Sequence, residues 1–71
     1  MLAGLTTTAR QLHTLETELT ERQEDRRPTT LTARRVAATE AALAQLADVA
    51  RDGGLTTQEI EAAIDRGYQP A

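Results

Sequence analysis

The sequence contains no cysteine, which removes two ways of stabilising a short chain. Neither a disulfide nor a zinc site with thiolate ligands can form. Serine, lysine, asparagine, phenylalanine and tryptophan are also missing, and Tyr68 is the one large aromatic residue. A chain of 71 residues with this composition is expected to form at most one small domain, spanning 1–71 and held together by aliphatic packing.

Long apolar runs are also missing, and none approaches the roughly 20 residues of a membrane-spanning helix. The segment Met1–Leu5 has no basic flank and no long apolar core, so it does not resemble a secretory signal. We therefore expect no membrane contact and a location in the cytoplasm or within an assembled particle. The net charge of −3 disfavours nonspecific nucleic-acid binding.

Bulky aliphatic side chains are few: nine Leu, two Ile and two Val stand against thirteen Ala. Small domains lie close to the limit of stability because a short chain buries little apolar surface. The composition therefore predicts a fold that is completed by self-association or by a partner. The alternative is a helical monomer of modest stability.

Three helices are predicted because a Leu-Thr pair precedes each helical stretch, and each Thr is suited to cap the helix that follows it. The pairs are Leu5-Thr6, Leu31-Thr32 and Leu55-Thr56. Pro28 ends the first helix. The prediction is an all-α, three-helix protein: a long antiparallel hairpin (about 6–26 and 32–52), a short third helix (about 57–66) and a tail, 67–71, after a stop at Gly67.

The junction before the third helix carries the most local signals. Gly53–Gly54 is suited to the left-handed backbone that closes a helix. Thr56 followed by Glu59 predicts a capping box, and Leu55 with Ile60 has the spacing of a hydrophobic staple. The agreement of these signals predicts a helix–turn–helix at this point.

The first helix carries a narrow leucine seam of coiled-coil-like spacing, whose exposed parts are candidates for partner binding. Its members are Leu5, Leu12, Leu15 and Leu19.

The second helix is apolar nearly all round, which is typical of a helix buried on more than one side. We expect one broad face to pack on the other two helices: Val36, Leu43, Leu46, Val49 and Ala50. Alanines cover most of the remainder and predict a contact with a second chain, with Ala37, Ala41 and Ala44 as the candidate residues. The alternative is that alanine favours helix and lies on the surface.

Five arginines cluster around the hairpin loop: Arg22, Arg26, Arg27, Arg34 and Arg35. Within 22–35 only Glu24 and Asp25 oppose them. Such a basic patch can bind an acidic protein surface or a nucleic-acid backbone. The alternative is a solvated helix tip whose local ion pairs stabilise little.

Residues 48–59 resemble the calcium loop of the EF-hand family, with Gly53 at the turn position. Acidic residues fall at its first, fifth and twelfth positions: Asp48, Asp52 and Glu59. The resemblance implies weak calcium binding through these carboxylates, although Ala50 at the third position supplies no ligand oxygen. The same turn has the spacing of a DNA-binding helix-turn-helix, but its second helix is mainly acidic, and phosphate repels acidic side chains.

Catalytic chemistry is not indicated. His13 has no cysteine, serine or second histidine to work with. We expect no enzyme activity and no cofactor. The sequence predicts a non-catalytic helical subunit, structural or accessory, that binds protein partners or itself as a homo-oligomer or within a larger assembly such as a virion. Alternatives are a small nucleic-acid-binding regulator that uses the arginines, and a degenerate EF-hand-like calcium module.

Overall fold

The computed structural model describes residues 2–70 and confirms the all-α, three-helix prediction. Helix α1 spans Leu2–Glu24, α2 spans Thr30–Asp52 and α3 spans Thr57–Tyr68. Helix α1 packs against both of the others, whereas α2 and α3 touch each other little. Contacts from Thr6 to Ala63 and from Glu16 to Tyr68 show that α3 runs in the same direction as α1.

Two of the three predicted helix starts are wrong. Helix α1 begins at Leu2, and Thr6 lies inside it, where its hydroxyl donates to the Ala63 carbonyl of α3 at 3.0 Å. Helix α2 begins at Thr30 with Thr29 as its N-cap, and Thr32 is a buried residue of its first turns. Both threonines are used in packing between helices, which a local capping pattern does not reveal.

The third start is confirmed at Thr56. Its side-chain oxygen accepts from the Glu59 backbone N–H at 3.1 Å, while the Glu59 carboxylate accepts from the Thr56 N–H at 3.0 Å. Leu55 packs on the core cluster that contains Ile60, as the staple spacing predicts. These reciprocal bonds satisfy backbone donors that a helix start leaves free.

Helix α2 ends in a Schellman motif built around Gly54, whose φ is +96°. The Gly54 N–H donates to the Arg51 carbonyl at 3.0 Å, and the Leu55 N–H donates to the Ala50 carbonyl at 3.0 Å. Glycine adopts this left-handed backbone without steric penalty. The predicted stop at Gly53–Gly54 is therefore confirmed.

Helix α1 ends with the same hydrogen-bond pattern but without a glycine. The Arg26 N–H donates to the Gln23 carbonyl at 3.2 Å, and the Arg27 N–H donates to the Arg22 carbonyl at 2.8 Å. Arg26 takes the left-handed position, with φ +55°. The helix thus ends at Glu24, before the predicted 26, because the left-handed residue cannot continue it.

The predicted stop at Gly67 is wrong, because α3 continues through Tyr68. Gly67 is buried against α1. A Cβ at this position would lie 2.5 Å from the Thr6 carbonyl oxygen and 2.6 Å from the Ala9 Cβ. Gly67 therefore permits two helix backbones to approach closely. Of the predicted tail 67–71, Gly67 and Tyr68 belong to α3, and residue 71 lies outside the described residues.

The core is small and rich in alanine. Its buried cluster contains Leu5, Ala47, Ala50, Ile60 and Ala63. The Cα radius of gyration is 13.4 Å, against about 11 Å for a compact domain of this length. The molecule measures 44 × 23 × 14 Å along its principal axes. This elongated shape leaves much of each helix open.

Candidate interaction surfaces

The surface of α2 that points away from the rest of the chain is here called the outer face. It is centred on Ala41 and includes Arg34, Ala37, Ala44 and Asp48, all of which are exposed. The opposite side of α2 carries the buried residues, namely Thr32, Ala47 and Ala50. The alanines predicted to meet a second chain are thus accessible, and no part of the described chain covers them.

Val49 does not join the inward face as predicted, since 52% of its surface is exposed. Leu31, in the first turn of α2, is 60% exposed. Val36, Leu43 and Leu46 are half-buried. Large aliphatic side chains therefore lie at solvent-accessible positions of α2 in a chain that has few of them.

The two ends of the outer face carry opposite charges. Arg34 lies near the start of α2, and among residues 2–70 it has no salt bridge. Asp48 lies near the end and accepts from Arg51 at 3.2 Å, one turn further along the helix. Both of those side chains are more than half exposed, so solvent screening leaves this pair little stabilising energy.

The leucine seam of α1 faces into the molecule. Leu5 is 0% exposed and Leu12 is 5% exposed, so neither can serve as a partner contact in this fold. Leu15 and Leu19 are half-buried. The prediction that Leu12 contacts a partner is therefore wrong, because this side chain is buried inside the chain. Leu15 and Leu19 stay candidates for partner contact.

The arginine cluster divides into paired and unpaired members. Arg22 bonds Glu18 at 3.2 Å, and Arg27 lies 3.6 Å from Asp25. Arg26, Arg34 and Arg35 are exposed and form no salt bridge within the described residues. Some of the positive charge around the loop is thus already matched inside the chain.

An open groove of about 530 Å³ separates α1 from α2. Leu15 and Ala38 contribute to its apolar lining, and Arg10 and Arg35 line it from the two helices. Arg10 is not among the site residues that the sequence predicts. No sequence pattern marks it, because its proximity to Arg35 depends on how the two helices cross.

Tyr68 forms a second feature that the sequence did not predict. Its hydroxyl donates to the Glu16 Oε1 at 2.7 Å, and its ring stacks on His13 with the centroids 5.1 Å apart. Desolvation and then the bond to Glu16 raise the pKa of Tyr68 to about 12, with a smaller contribution from Glu40. The phenol is therefore protonated at neutral pH and ties the end of α3 to α1.

The segment that resembles a calcium loop lies mostly in helices. Asp48 and Asp52 belong to the last turns of α2, and the Glu59 carboxylate is engaged in the capping box. No group of three or more metal-ligating side chains lies close together within residues 2–70. Calcium binding stays a prediction, and titration calorimetry with millimolar calcium is its direct test.

Within the described part of the chain, no helix combines the length and apolarity that crossing a membrane requires. Comparison with family models, curated proteins and solved structures finds no match for this chain. The chain's own residues are therefore the only basis for a functional proposal.

Proposed function

We propose that this protein is a non-catalytic helical subunit that associates with itself or with a protein partner through the outer face of α2. The observation that carries the proposal is the exposure of Ala37, Ala41 and Ala44 on a side of α2 that none of the described residues covers. Short side chains allow another helix to approach closely, since interaxial distance depends on the side chains at the contact.

The elongated fold supports the same conclusion. The radius of gyration of 13.4 Å is larger than that of a compact domain of this length, and few large side chains are buried. The chain therefore has a smaller core than a compact domain of the same length. Val49 and Leu31 are also exposed in the single chain, so apolar surface beside the outer face is available for burial on association. Burial of apolar surface is the main favourable contribution to such contacts.

The experiment is sedimentation of the purified protein from about 1 μM to 1 mM, together with melting curves over the same range. A self-associating protein has a melting temperature that rises with concentration. A single species of 7.7 kDa with an unchanging melting temperature would exclude self-association. The outer face would then need a different protein as its partner.

Ala41→Glu places a charge at the centre of the outer face and is expected to reduce association at least tenfold. The matched control is Ala62→Glu, which makes the same change at an exposed alanine of α3. Equal association of both variants and the wild type would show that the outer face is not the contact.

A second candidate is nucleic-acid binding through the arginine cluster. The observation that favours it is that Arg26, Arg34 and Arg35 have no acidic partner within residues 2–70. Counterion release predicts an affinity that falls steeply with salt. Fluorescence anisotropy with labelled duplex DNA at several salt concentrations tests this, with the triple Arg→Gln variant as control. Binding that the variant retains would exclude the cluster as the site.

A further inference from the structure

The two charged residues of the outer face are placed symmetrically about Ala41. Arg34 and Asp48 lie seven positions before and after it, and Ala37 and Ala44 lie between them, four positions before and three positions after Ala41. Positions 34, 37, 41, 44 and 48 follow the three-and-four spacing of one helix face. The face thus has a small, neutral middle, a positive end and a negative end.

Such a face is complementary to an inverted copy of itself. In an antiparallel pair centred on Ala41, Arg34 of each chain would lie opposite Asp48 of the other. A parallel pair in the same register would instead place like charges together, which is unfavourable. In a two-fold contact each interaction occurs twice, so one ion pair of this kind would form at each end of the paired helices.

We propose, resting on the proposed function, that the occupant of the outer face is a second copy of this chain, with α2 packed antiparallel on α2 about a two-fold axis at Ala41. The alanines around the axis allow close approach of the two helices. Asp48 keeps its bond to Arg51 and gains Arg34 of the other chain, which has no salt bridge with residues 2–70 of its own chain. The contact is one helix face wide, so the dimer is reversible and its formation depends on concentration.

Cysteine cross-linking tests the axis, because the chain has no cysteine of its own. A residue on a two-fold axis faces its own copy. For helix axes about 9–10 Å apart and Cα atoms about 2.3 Å from each axis, the two Cα atoms that face each other across the dimer axis lie about 4.4–5.4 Å apart, within disulfide range. We expect Ala41→Cys to form a disulfide dimer under mild oxidation at least tenfold faster than the control, Ala62→Cys on α3.

Charge reversal tests the antiparallel register. We expect Arg34→Asp alone and Asp48→Arg alone to weaken the dimer at least fivefold, and the double variant to restore it. Both positions are exposed, and the Asp48–Arg51 bond that Asp48→Arg removes stabilises little, so we expect both variants to fold. Circular dichroism confirms the helix content of each variant.

The outcomes separate this inference from the proposed function. Association of the wild type without selective cross-linking at position 41, or without rescue by the double variant, overturns the antiparallel pairing and leaves assembly intact. A wild type that is monomeric to 1 mM overturns the pairing and self-association together. Selective cross-linking with rescue supports both.

Discussion

The contact of α1 with α3 and the contact of α1 with α2 differ in how closely the backbones approach. At the first, Gly67 is pressed against α1 so tightly that no Cβ fits beside the Thr6 carbonyl. At the second, a groove of about 530 Å³ remains, lined in part by Arg10 and Arg35. The comparison teaches that small residues of this chain do two different things: Gly67 on α3 closes a contact inside the chain, whereas Ala37, Ala41 and Ala44 on α2 face outward.

The largest expected effect comes from widening the tight contact. Gly67→Ala places a methyl group 2.5 Å from the Thr6 carbonyl oxygen and 2.9 Å from the Arg10 nitrogen, both backbone atoms that cannot turn aside. We expect the free energy of unfolding to fall by about 2–3 kcal/mol, measured by urea denaturation.

The control is Gly4→Ala, which has no atom within 4 Å of the new Cβ and lies in α1. Alanine there should leave stability unchanged or raise it by about 0.5 kcal/mol, because it restricts the unfolded chain. If Gly67→Ala behaved like Gly4→Ala, the close approach of α1 and α3 would be disproved.

The next effect concerns the polar end of the same contact. Tyr68→Phe removes the hydroxyl that donates to Glu16 at 2.7 Å, and we expect a loss of about 1.5 kcal/mol at neutral pH. Because the folded-state pKa of about 12 lies above the ordinary tyrosine value of 10.0, the folded state holds this proton more tightly. Wild-type stability should therefore be complete below pH 10 and decrease between pH 10 and 12.

Tyr68→Phe should remove the part of this decrease that the phenol causes. Denaturation of both proteins from pH 7 to 12 makes the measurement, and parallel curves throughout would contradict the assigned hydrogen bond. Phenylalanine keeps the ring that stacks on His13, so we expect the comparison to isolate the hydroxyl.

The smallest expected effects lie at the two helix ends, which share one hydrogen-bond pattern but not one residue type. Arg26 has φ +55°, where glycine is favoured, so Arg26→Gly should stabilise by about 0.5–1 kcal/mol. Gly54→Ala, at φ +96°, should destabilise by about 1 kcal/mol. Thermal melts of the two variants should shift in opposite directions, and shifts of the same sign would contradict the shared motif.

Local sequence signals predicted the turn between α2 and α3 well. Gly54, Thr56 and Glu59 form their bonds within a few residues of one another, so the sequence specifies their partners directly. The starts at Thr6 and Thr32 were wrong because those threonines pack inside the fold. Arg26 was not recognised as a helix stop, since arginine is not the residue type that a left-handed position favours.

For the candidate surfaces too, local spacing was predictable from the sequence and burial was not. The spacing of Ala37, Ala41 and Ala44 indicated a common face, and helix geometry alone is enough for that inference. Whether the face was buried or exposed depended on the way α2 packs against α1. Leu12 is the opposite case, a predicted contact residue that the fold buries. The sequence indicated its place in the leucine seam, but only 5% of its surface is exposed, so it is not available to a partner.

The sequence by itself determined the number of helices, their approximate lengths and the turn at 53–56, because each depends on interactions between near neighbours in the chain. Only the tertiary structure decided that Gly67 closes a helix contact, that Tyr68 bonds Glu16 and that Ala37, Ala41 and Ala44 face outward. Those features join residues far apart in sequence or depend on which faces meet, and no local pattern specifies the crossing of two helices.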